Sequence, residues 1–353
     1  MNMAPVKDLP RLTVVITGAS AGVGRAVARR FARTGAKLAL IARDPQALNQ
    51  VKQEVERLGG SAITFPVDVA DAKALIEAAD MIAEEAGSID IWINDAMVTV
   101  FSPVWAITPE EFRRVTEVTY LGFVHGTMAA LRHMRQHDHG TIVQVGSALA
   151  YRGIPLQAAY CGAKFAIRGF TDSLRTELIH AKSNIALTMV ELPAVNTPQF
   201  DWARTHMQRQ PRPVPPVIQP ETVAEVIFLA ALKPRREYWI GLSTMKAILG
   251  NMALPGFLDR YIARNVYDAQ ETGVPVSATR EDNLMAPVAA LHRTRGSFGS
   301  EASNAAFAVP GPAARLIALV TGALACLSIG VLAGRALPTR SKANGIIRSH
   351  SQR

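Results

Sequence analysis

The sequence has only two cysteines, Cys161 and Cys326, and they stand far apart in different contexts. Two isolated thiols form neither the disulfide framework of a small secreted protein nor the spaced ligands of a structural metal site. No apolar run of signal-peptide length precedes the first predicted strand, since the chain begins MNMAPVKDLPR. The sequence therefore predicts no metal site and favours a reducing compartment.

The C-terminal region, residues 313–353, lacks acidic residues. Six of the basic residues behind the net charge of +9 lie there: Arg315, Arg335, Arg340, Lys342, Arg348 and Arg353. The rest of the chain is nearly balanced in charge and has no stripe of basic and aromatic residues. The high isoelectric point therefore reflects the tail, and nucleic-acid binding is disfavoured.

The same region contains a run of nineteen residues without a charge, Leu316 to Gly334. At about 1.5 Å rise per residue, a helix of this length just crosses a hydrocarbon core of roughly 30 Å. Residues 313–337 are therefore predicted as a candidate transmembrane helix, with a basic tail over 338–353. A buried core helix is the alternative.

Short apolar runs alternate with helical patterns through the first 195 residues. Six strand-like runs are almost continuously hydrophobic, as buried parallel strands are: RLTVVITG, KLALIAR, AITFPVDV, IDIWIND, GTIVQVGS and NIALTMVEL. Helical patterns lie between them, over 23–33, 45–58, 72–85, 109–135 and 157–181. This alternation predicts an α/β fold with a doubly wound parallel sheet, the Rossmann fold, and a ligand beyond the carboxyl ends of the strands.

The chain changes character after Leu192. Residues 193–221 are rich in proline and arginine, which indicates either a binding loop or lid at a strand end or a plain surface linker. A helix over 221–232 and a strand at REYWIG follow. Residues 1–265 are thus predicted as a single α/β domain, and 266–312, without periodicity, as a flexible tether.

The segment TGASAGVG, Thr17 to Gly24, follows the first strand and opens the first helix. Its three glycines allow a tight turn and let a pyrophosphate approach the peptide N–H groups of a helix N-terminus. The expected ligand is therefore a dinucleotide.

The end of the second strand favours NADP over NAD. An acidic residue there would hydrogen-bond the adenosine ribose of NAD, but the chain has Ala42 followed by Arg43, whose guanidinium can pair with a 2′-phosphate. Asp44 most simply caps the helix that begins at Pro45. A displaced ribose ligand at Asp44, and hence NAD, is the alternative.

Tyr160 and Lys164 are one helical turn apart in AYCGAKFA, and Ser147 lies just after the fifth strand. At these residues the chain resembles the short-chain dehydrogenase/reductase family, in its compact single-domain branch, over roughly residues 11–241. The motifs stand in the family's order: the TGxxxGxG loop, Asp68 and Val69, Asn94, Ser147 and YxxxK.

The resemblance implies hydride transfer between NADP and a carbonyl or secondary alcohol. Tyr160 would exchange a proton with the substrate oxygen, Lys164 would favour its phenolate form and hold the nicotinamide ribose, and Ser147 would hydrogen-bond the reacting oxygen. The cofactor-binding residues it implies are Gly18, Ser20, Gly22, Val23, Gly24, Arg43, Asp68, Val69, Asn94, Ala96, Tyr160, Lys164, Val195 and Thr197.

Three positions depart from the family pattern. Met97, in NDAM, stands where the family has a glycine, and Thr119 stands where the family has an asparagine that holds a catalytic water, although a hydroxyl could hold one too. LPAVNT keeps Val195 and Thr197 of the PGxVxT segment but shifts its proline. Met97 and Thr119 leave open a sensor or scaffold that binds the dinucleotide without turnover. An epimerase or dehydratase on the same fold is a further alternative.

The expected partner is a small-molecule carbonyl or alcohol. Phe200, Trp202 and Met207 in the long loop favour an apolar one, unless they pack on the sheet. A homo-oligomer is left open.

The domain is expected in the cytoplasm, where NADPH is held, and on a membrane through the C-terminal helix. Basic residues after that helix favour a cytosolic C-terminus as well. A helix that lies along the membrane surface or re-enters it is therefore the alternative to a full crossing.

Overall fold

The computed structural model describes residues 11–321. Its central sheet consists of β1 (Thr13–Thr17), β2 (Lys37–Ala42), β3 (Ser61–Pro66), β4 (Ile91–Asn94), β5 (Thr141–Val145), β6 (Ala186–Glu191), β7 (Glu237–Ile240) and β8 (Ala308–Pro310). In space the strands lie in the order β8-β7-β6-β5-β4-β1-β2-β3, and every neighbouring pair is parallel except β7 with β8. The predicted Rossmann-like α/β fold is confirmed, and the strand order reverses between β1 and β4, where such sheets bind their ligands.

Helices cover both faces of the sheet. They are α1 (Gly22–Ala32), α2 (Pro45–Arg57), α3 (Ala72–Ala86), α4 (Pro109–Thr116), α5 (Gly122–His137), α6 (Ala158–His180), α7 (Gln199–Trp202), α8 (Pro220–Leu232), α9 (Gly241–Ala253) and α10 (Pro255–Asn265). Successive strand residues point to opposite faces. Val14 and Ile16 accordingly share a core with α1, α2 and α8, while Val15 shares one with α3 to α6.

Shorter elements connect these helices and strands. Val100–Phe101 pairs with Arg204–Thr205, Arg209–Pro211 pairs with Glu271–Pro275, and Val217–Ile218 lies between Ala194–Val195 and Ala302–Ser303. The 3₁₀ turns are Val104–Ala106, Ala148–Ala150, Asp268–Gln270 and Ala289–Leu291. The helix predicted over 109–135 is divided by a π-helical turn, Glu117–Leu121.

Local sequence signals set several helix starts. The Asp44 side chain accepts the N–H groups of Gln46 and Ala47 at 2.8 and 2.9 Å, which confirms it as the cap of α2. Thr108 and Glu111 form a capping box at α4. These boundaries follow the prediction because caps depend on neighbours in sequence.

The predicted tether over 266–312 is wrong. This segment packs against the α/β domain, and its last strand, β8, adds antiparallel to β7 at the edge of the central sheet. The compact unit therefore extends to Pro312 rather than to residue 265. The composition gave no sign of this, because the segment is held by hydrogen bonds to residues distant in sequence rather than by its own periodicity.

The remaining residues, 313–353, form a second unit. Residues 311–321 are helical, whereas 322–337 of the candidate transmembrane helix and the basic tail lie outside the described residues. Within 11–321, no helix combines the length and the apolar character that a membrane crossing requires.

Candidate active site

The glycine-rich loop places the start of α1 against the ends of β1 and β4. Gly18 has a φ of +72°, and a Cβ there would lie 2.8 Å from the Cα of Ala96. A Cβ on Gly24 would lie 2.4 Å from the carbonyl oxygen of Gly18. Both positions therefore require glycine. The first residues of α1, Gly22 and Val23, line the cavity, where a helix N-terminus favours an anionic group.

A cavity of about 670 Å³ begins at this loop and extends to α9 and α10. It lies at the carboxyl ends of the strands, as predicted. Most of the predicted site residues line it: Gly18, Ser20, Gly22, Val23, Arg43, Asp68, Val69, Ala96, Ser147, Tyr160, Lys164, Val195 and Thr197. Residues more than a hundred positions apart in sequence are thus brought to one site.

Ser147, Tyr160 and Lys164 form a contiguous group within the cavity. Ser147 follows β5, and its hydroxyl lowers the pKa of Tyr160. The Nζ atom of Lys164 donates to the carbonyl oxygen of Val145 at 2.8 Å and lies 5.5 Å from the centre of the Tyr160 ring. The spacing of four residues puts the tyrosine and the lysine on one face of α6.

Burial has the largest effect on the pKa values of Tyr160 and Lys164. It raises the pKa of Tyr160 above its ordinary value of 10, and the neighbouring Ser147 hydroxyl opposes this rise only in part. Burial also lowers the pKa of Lys164 to about 8, against the charges of Asp95 and Glu191. The expected lowering of the Tyr160 pKa by Lys164 is therefore outweighed, and the environment favours the neutral phenol.

Asp95 lines the cavity although no sequence motif indicated it. It directly follows β4, and its carboxylate lies beside Gly24 and interacts electrostatically with Lys164. Desolvation raises the pKa of its carboxyl to about 7, and Lys164 and the Gly24 N–H oppose the rise. An acidic residue immediately after a buried strand, at the ligand edge of a parallel sheet, is a signal that could have identified it.

Asn94 was predicted to bind the cofactor, but its side chain belongs to the core. It is fully buried and does not line the cavity. Its oxygen accepts from Trp92 Nε1 at 2.8 Å, and its nitrogen donates to Gln144 at 2.9 Å and to Thr127 at 3.1 Å. Asn94 therefore links β4 to β5 and α5. Gly24 likewise packs against Gly18 rather than facing the cavity.

Thr119 was predicted to hold a water for proton transfer, but its hydroxyl is committed elsewhere. The side chain is fully buried in the π-helical turn. The hydroxyl donates to the carbonyl oxygen of Val98 at 2.7 Å and accepts the N–H of the same residue at 3.0 Å. Thr119 thus fixes the chain after β4 and does not face the cavity.

Arg43 lies at the predicted adenosine end, with its guanidinium already engaged. It donates to the backbone carbonyl oxygens of Asn283, Leu284 and Met285 at distances from 2.5 to 3.4 Å. Burial lowers the pKa of Arg43, which Asp68 partly opposes. The carbonyl partners belong to the segment that composition predicted as a tether.

The other half of the cavity is mainly apolar. Its walls include Phe101, Phe200, Leu242, Leu258 and Ile262, and the last three come from α9 and α10, which the sequence analysis did not predict. Trp202 and Met97 also line the cavity. Met207 does not, because it packs with Leu156 and Ala203 in a small cluster of its own.

Known dehydrogenases and reductases are similar to this chain in sequence. A family model described as short chain dehydrogenase matches residues 12–208. An uncharacterized oxidoreductase of Bacillus subtilis is 31% identical over 289 residues, which cover 81% of each chain. A fatty acyl-CoA reductase of Acinetobacter baylyi is 31% identical over 225 residues, which cover 63% of this chain and 74% of that protein.

Solved structures with either nicotinamide cofactor resemble this fold. A metagenomic short-chain oxidoreductase in complex with NADP superposes with a TM-score of 0.54 at 26% identity, covering 64% of this chain and 92% of its own. An NAD⁺-bound xylitol dehydrogenase superposes with a TM-score of 0.51 at 28% identity, covering 54% of this chain and 72% of its own.

Proposed function

The chain belongs to the short-chain dehydrogenase family, an oxidoreductase family that uses a nicotinamide cofactor, and we propose that it interconverts a carbonyl and a secondary alcohol with NADP. The observation that carries this proposal is that Ser147, Tyr160 and Lys164 open on the same cavity as the glycine-rich loop. A carbonyl held at Ser147 and Tyr160 would then lie within the cavity that receives the hydride donor.

The residues present fit a dinucleotide. The packing at Gly18 and Gly24 leaves no room for a Cβ. The positive end of α1 lines the cavity at Gly22 and Val23, where it would favour a pyrophosphate. Lys164 and Thr197 would hold the nicotinamide ribose, and Val69 and Arg43 would hold the adenosine end. The bound cofactor supplies or accepts the hydride.

The neutral phenol at Tyr160 suits the reductive direction. The Tyr160 hydroxyl donates its proton to the substrate oxygen while Ser147 hydrogen-bonds the same oxygen. The Lys164 ammonium, on the same helix face, stabilises the phenolate that remains. In the oxidative direction the same groups act in reverse, and Tyr160 must first lose its proton.

The substrate that this cavity fits best is apolar and extended. Phe101, Phe200 and Leu258 provide the walls, and Leu242 and Tyr261 line the cavity while remaining more than half exposed at its outer end. An aliphatic chain would bury its methylenes here, at about 0.8 kcal/mol each. The relative named as a fatty acyl-CoA reductase agrees with such a chain.

Loss of NADPH absorbance, measured against aliphatic aldehydes and ketones of increasing length, tests the proposed function. Steroid-like and small polar carbonyls complete the panel. Turnover that rises with chain length is the expected result. NADPH binding without turnover of any compound would favour the sensor or scaffold instead.

The cofactor preference follows from Arg43 and the neutral Ala42. We expect wild-type protein to bind NADPH ten- to a hundredfold more tightly than NADH, since a charge-assisted hydrogen bond contributes about 1.5–3 kcal/mol. Arg43→Ala should reduce this ratio towards one in fluorescence titrations of both cofactors. The affinity ratio reports the contribution of the 2′-phosphate alone, because any loosening of segment 283–285 lowers the affinity for both cofactors. NADH affinity equal to that of NADPH in the wild type would contradict the proposal.

For location, we propose a cytoplasmic domain attached to a membrane through residues 313–353. The full-length protein should sediment with membranes after cell breakage, and a chain ending at Pro312, the limit of the first compact unit, should be released with its activity retained. Fractionation measures whether each protein sediments with membranes, and the NADPH assay measures whether its activity is retained. Recovery of the full-length protein in the supernatant without detergent would rule out the anchor.

A further inference from the structure

Residues 283–298, here called the C-terminal strap, run along the cofactor half of the cavity. At the glycine-rich loop, the N–H of Gly22 donates to the carbonyl oxygen of Arg293 at 3.0 Å, and Arg25 donates to that of His292 at 2.7 Å. Next to this loop, Asn196 accepts the N–H of Gly296 at 3.1 Å. The strap is thus fixed to two segments that line the site, the glycine-rich loop and the chain after β6.

The strap is also fixed at the adenosine end. Leu284 is fully buried in the core cluster that contains Val69 and Val118. Its carbonyl oxygen accepts from Arg43 and, at 3.2 Å, from Nε of Arg114. The strap therefore spans the site from the adenosine end to the pyrophosphate loop.

The cavity remains open beneath the strap. Asn283, Pro287, Val288 and His292 line it together with Arg43. His292 Nε2 lies 3.2 Å from Oδ2 of Asp44, the carboxylate oxygen that the helix cap does not use. These positions make the strap a wall of the adenosine pocket rather than a plug that fills it.

We propose that the C-terminal strap closes over the adenosine half of the bound dinucleotide and must open for cofactor to enter or leave. The inference rests on the proposed cofactor site. Arg43 couples the strap to the cofactor. Its guanidinium has five N–H donors and can hold the strap carbonyls and a 2′-phosphate together. Bound NADPH therefore stabilises the closed strap, and does so more than NADH.

Limited trypsin digestion of the full-length protein tests this coupling. The strap has two exposed cleavage sites, Arg293 and Arg295, and the loop before β7 supplies an exposed reference site at Arg235 and Arg236. Saturating NADPH should slow strap cleavage about tenfold, NADH should slow it less, and cleavage at the reference site should change little. Equal slowing at both sites, or faster strap cleavage with NADPH, would overturn the proposal.

Cofactor exchange provides a second measurement. Arg293 pairs with Asp201 at 2.7 Å, and Ser297 donates to the same carboxylate at 2.7 Å. The double variant Arg293→Ala, Ser297→Ala removes these exposed contacts without touching a cavity residue. The matched control is Arg236→Ala, which removes a similarly exposed pair with Asp172.

Displacement of bound NADPH by excess NADP⁺, followed by fluorescence in a stopped-flow instrument, gives the dissociation rate. The double variant should release NADPH about fivefold faster than the wild type, and the control should match the wild type. An unchanged rate, or tighter binding by the variant, would overturn the strap alone. Failure of the wild type to bind NADPH would overturn the proposed function and the strap with it.

Discussion

Tyr160→Phe is expected to lower kcat by about a thousandfold while the Kd for NADPH stays within about twofold of the wild type. Proton transfer by a positioned side chain contributes roughly 10²- to 10⁴-fold, and the substitution removes only the hydroxyl that performs it. The ring, and its position 5.5 Å from Lys164 Nζ, are retained. Steady-state rates and fluorescence titration measure the two quantities.

Tyr120→Phe is the matched control for this variant. Tyr120 is also partly buried, and it packs beside Phe123 and Ile167 without lining the cavity. Its hydroxyl should be dispensable for turnover. Substantial activity in Tyr160→Phe would remove the tyrosine from the reaction.

Lys164→Ala is expected to reduce kcat by about a hundredfold and NADPH affinity by about tenfold. Its ammonium has two proposed partners, the Tyr160 phenolate and the nicotinamide ribose. Lys246→Ala is the control for affinity, since Lys246 lines the apolar half of the cavity on α9. A variant with normal affinity and a reduced kcat would contradict the contact with the ribose.

The lowered pKa of Lys164 also predicts a pH dependence. Because burial brings this pKa to about 8, the ammonium is present below that pH and is lost above it. NADPH affinity of the wild type should therefore fall as the pH rises through about 8. Lys164→Ala should show no such fall in titrations across the same range, and a parallel fall in both proteins would assign it to another group.

Periodicity and local chemistry were enough to predict much of this protein from its sequence. The α/β alternation, the cap at Asp44 and the turn at Gly18 depend on residues close in sequence, and the structure has each of them where expected. Tyr160 and Lys164 share a helix face for the same reason, since four residues make about one turn.

Long-range contacts determine whether the side chains of other predicted site residues face the cavity or belong to the core. Asn94 and Thr119 have polar side chains that suit a cofactor or a water, but Gln144 and the Val98 backbone occupy them. Burial likewise raises the pKa of Tyr160, whereas Lys164 was expected to lower it. Desolvation depends on everything packed around a group, which motif spacing does not describe.

The sequence by itself determined the parallel strands of the sheet and the glycine-rich loop, because both depend on local spacing. Its resemblance to a known family indicated Ser147, Tyr160 and Lys164. Only the tertiary structure decided that residues 283–298 form a wall of the cofactor cavity and that α9 and α10 line its apolar half. The strap is held at Gly22 and Arg43 through its own backbone carbonyl oxygens. Every residue type carries that carbonyl, so no side-chain pattern in the sequence could reveal the contact.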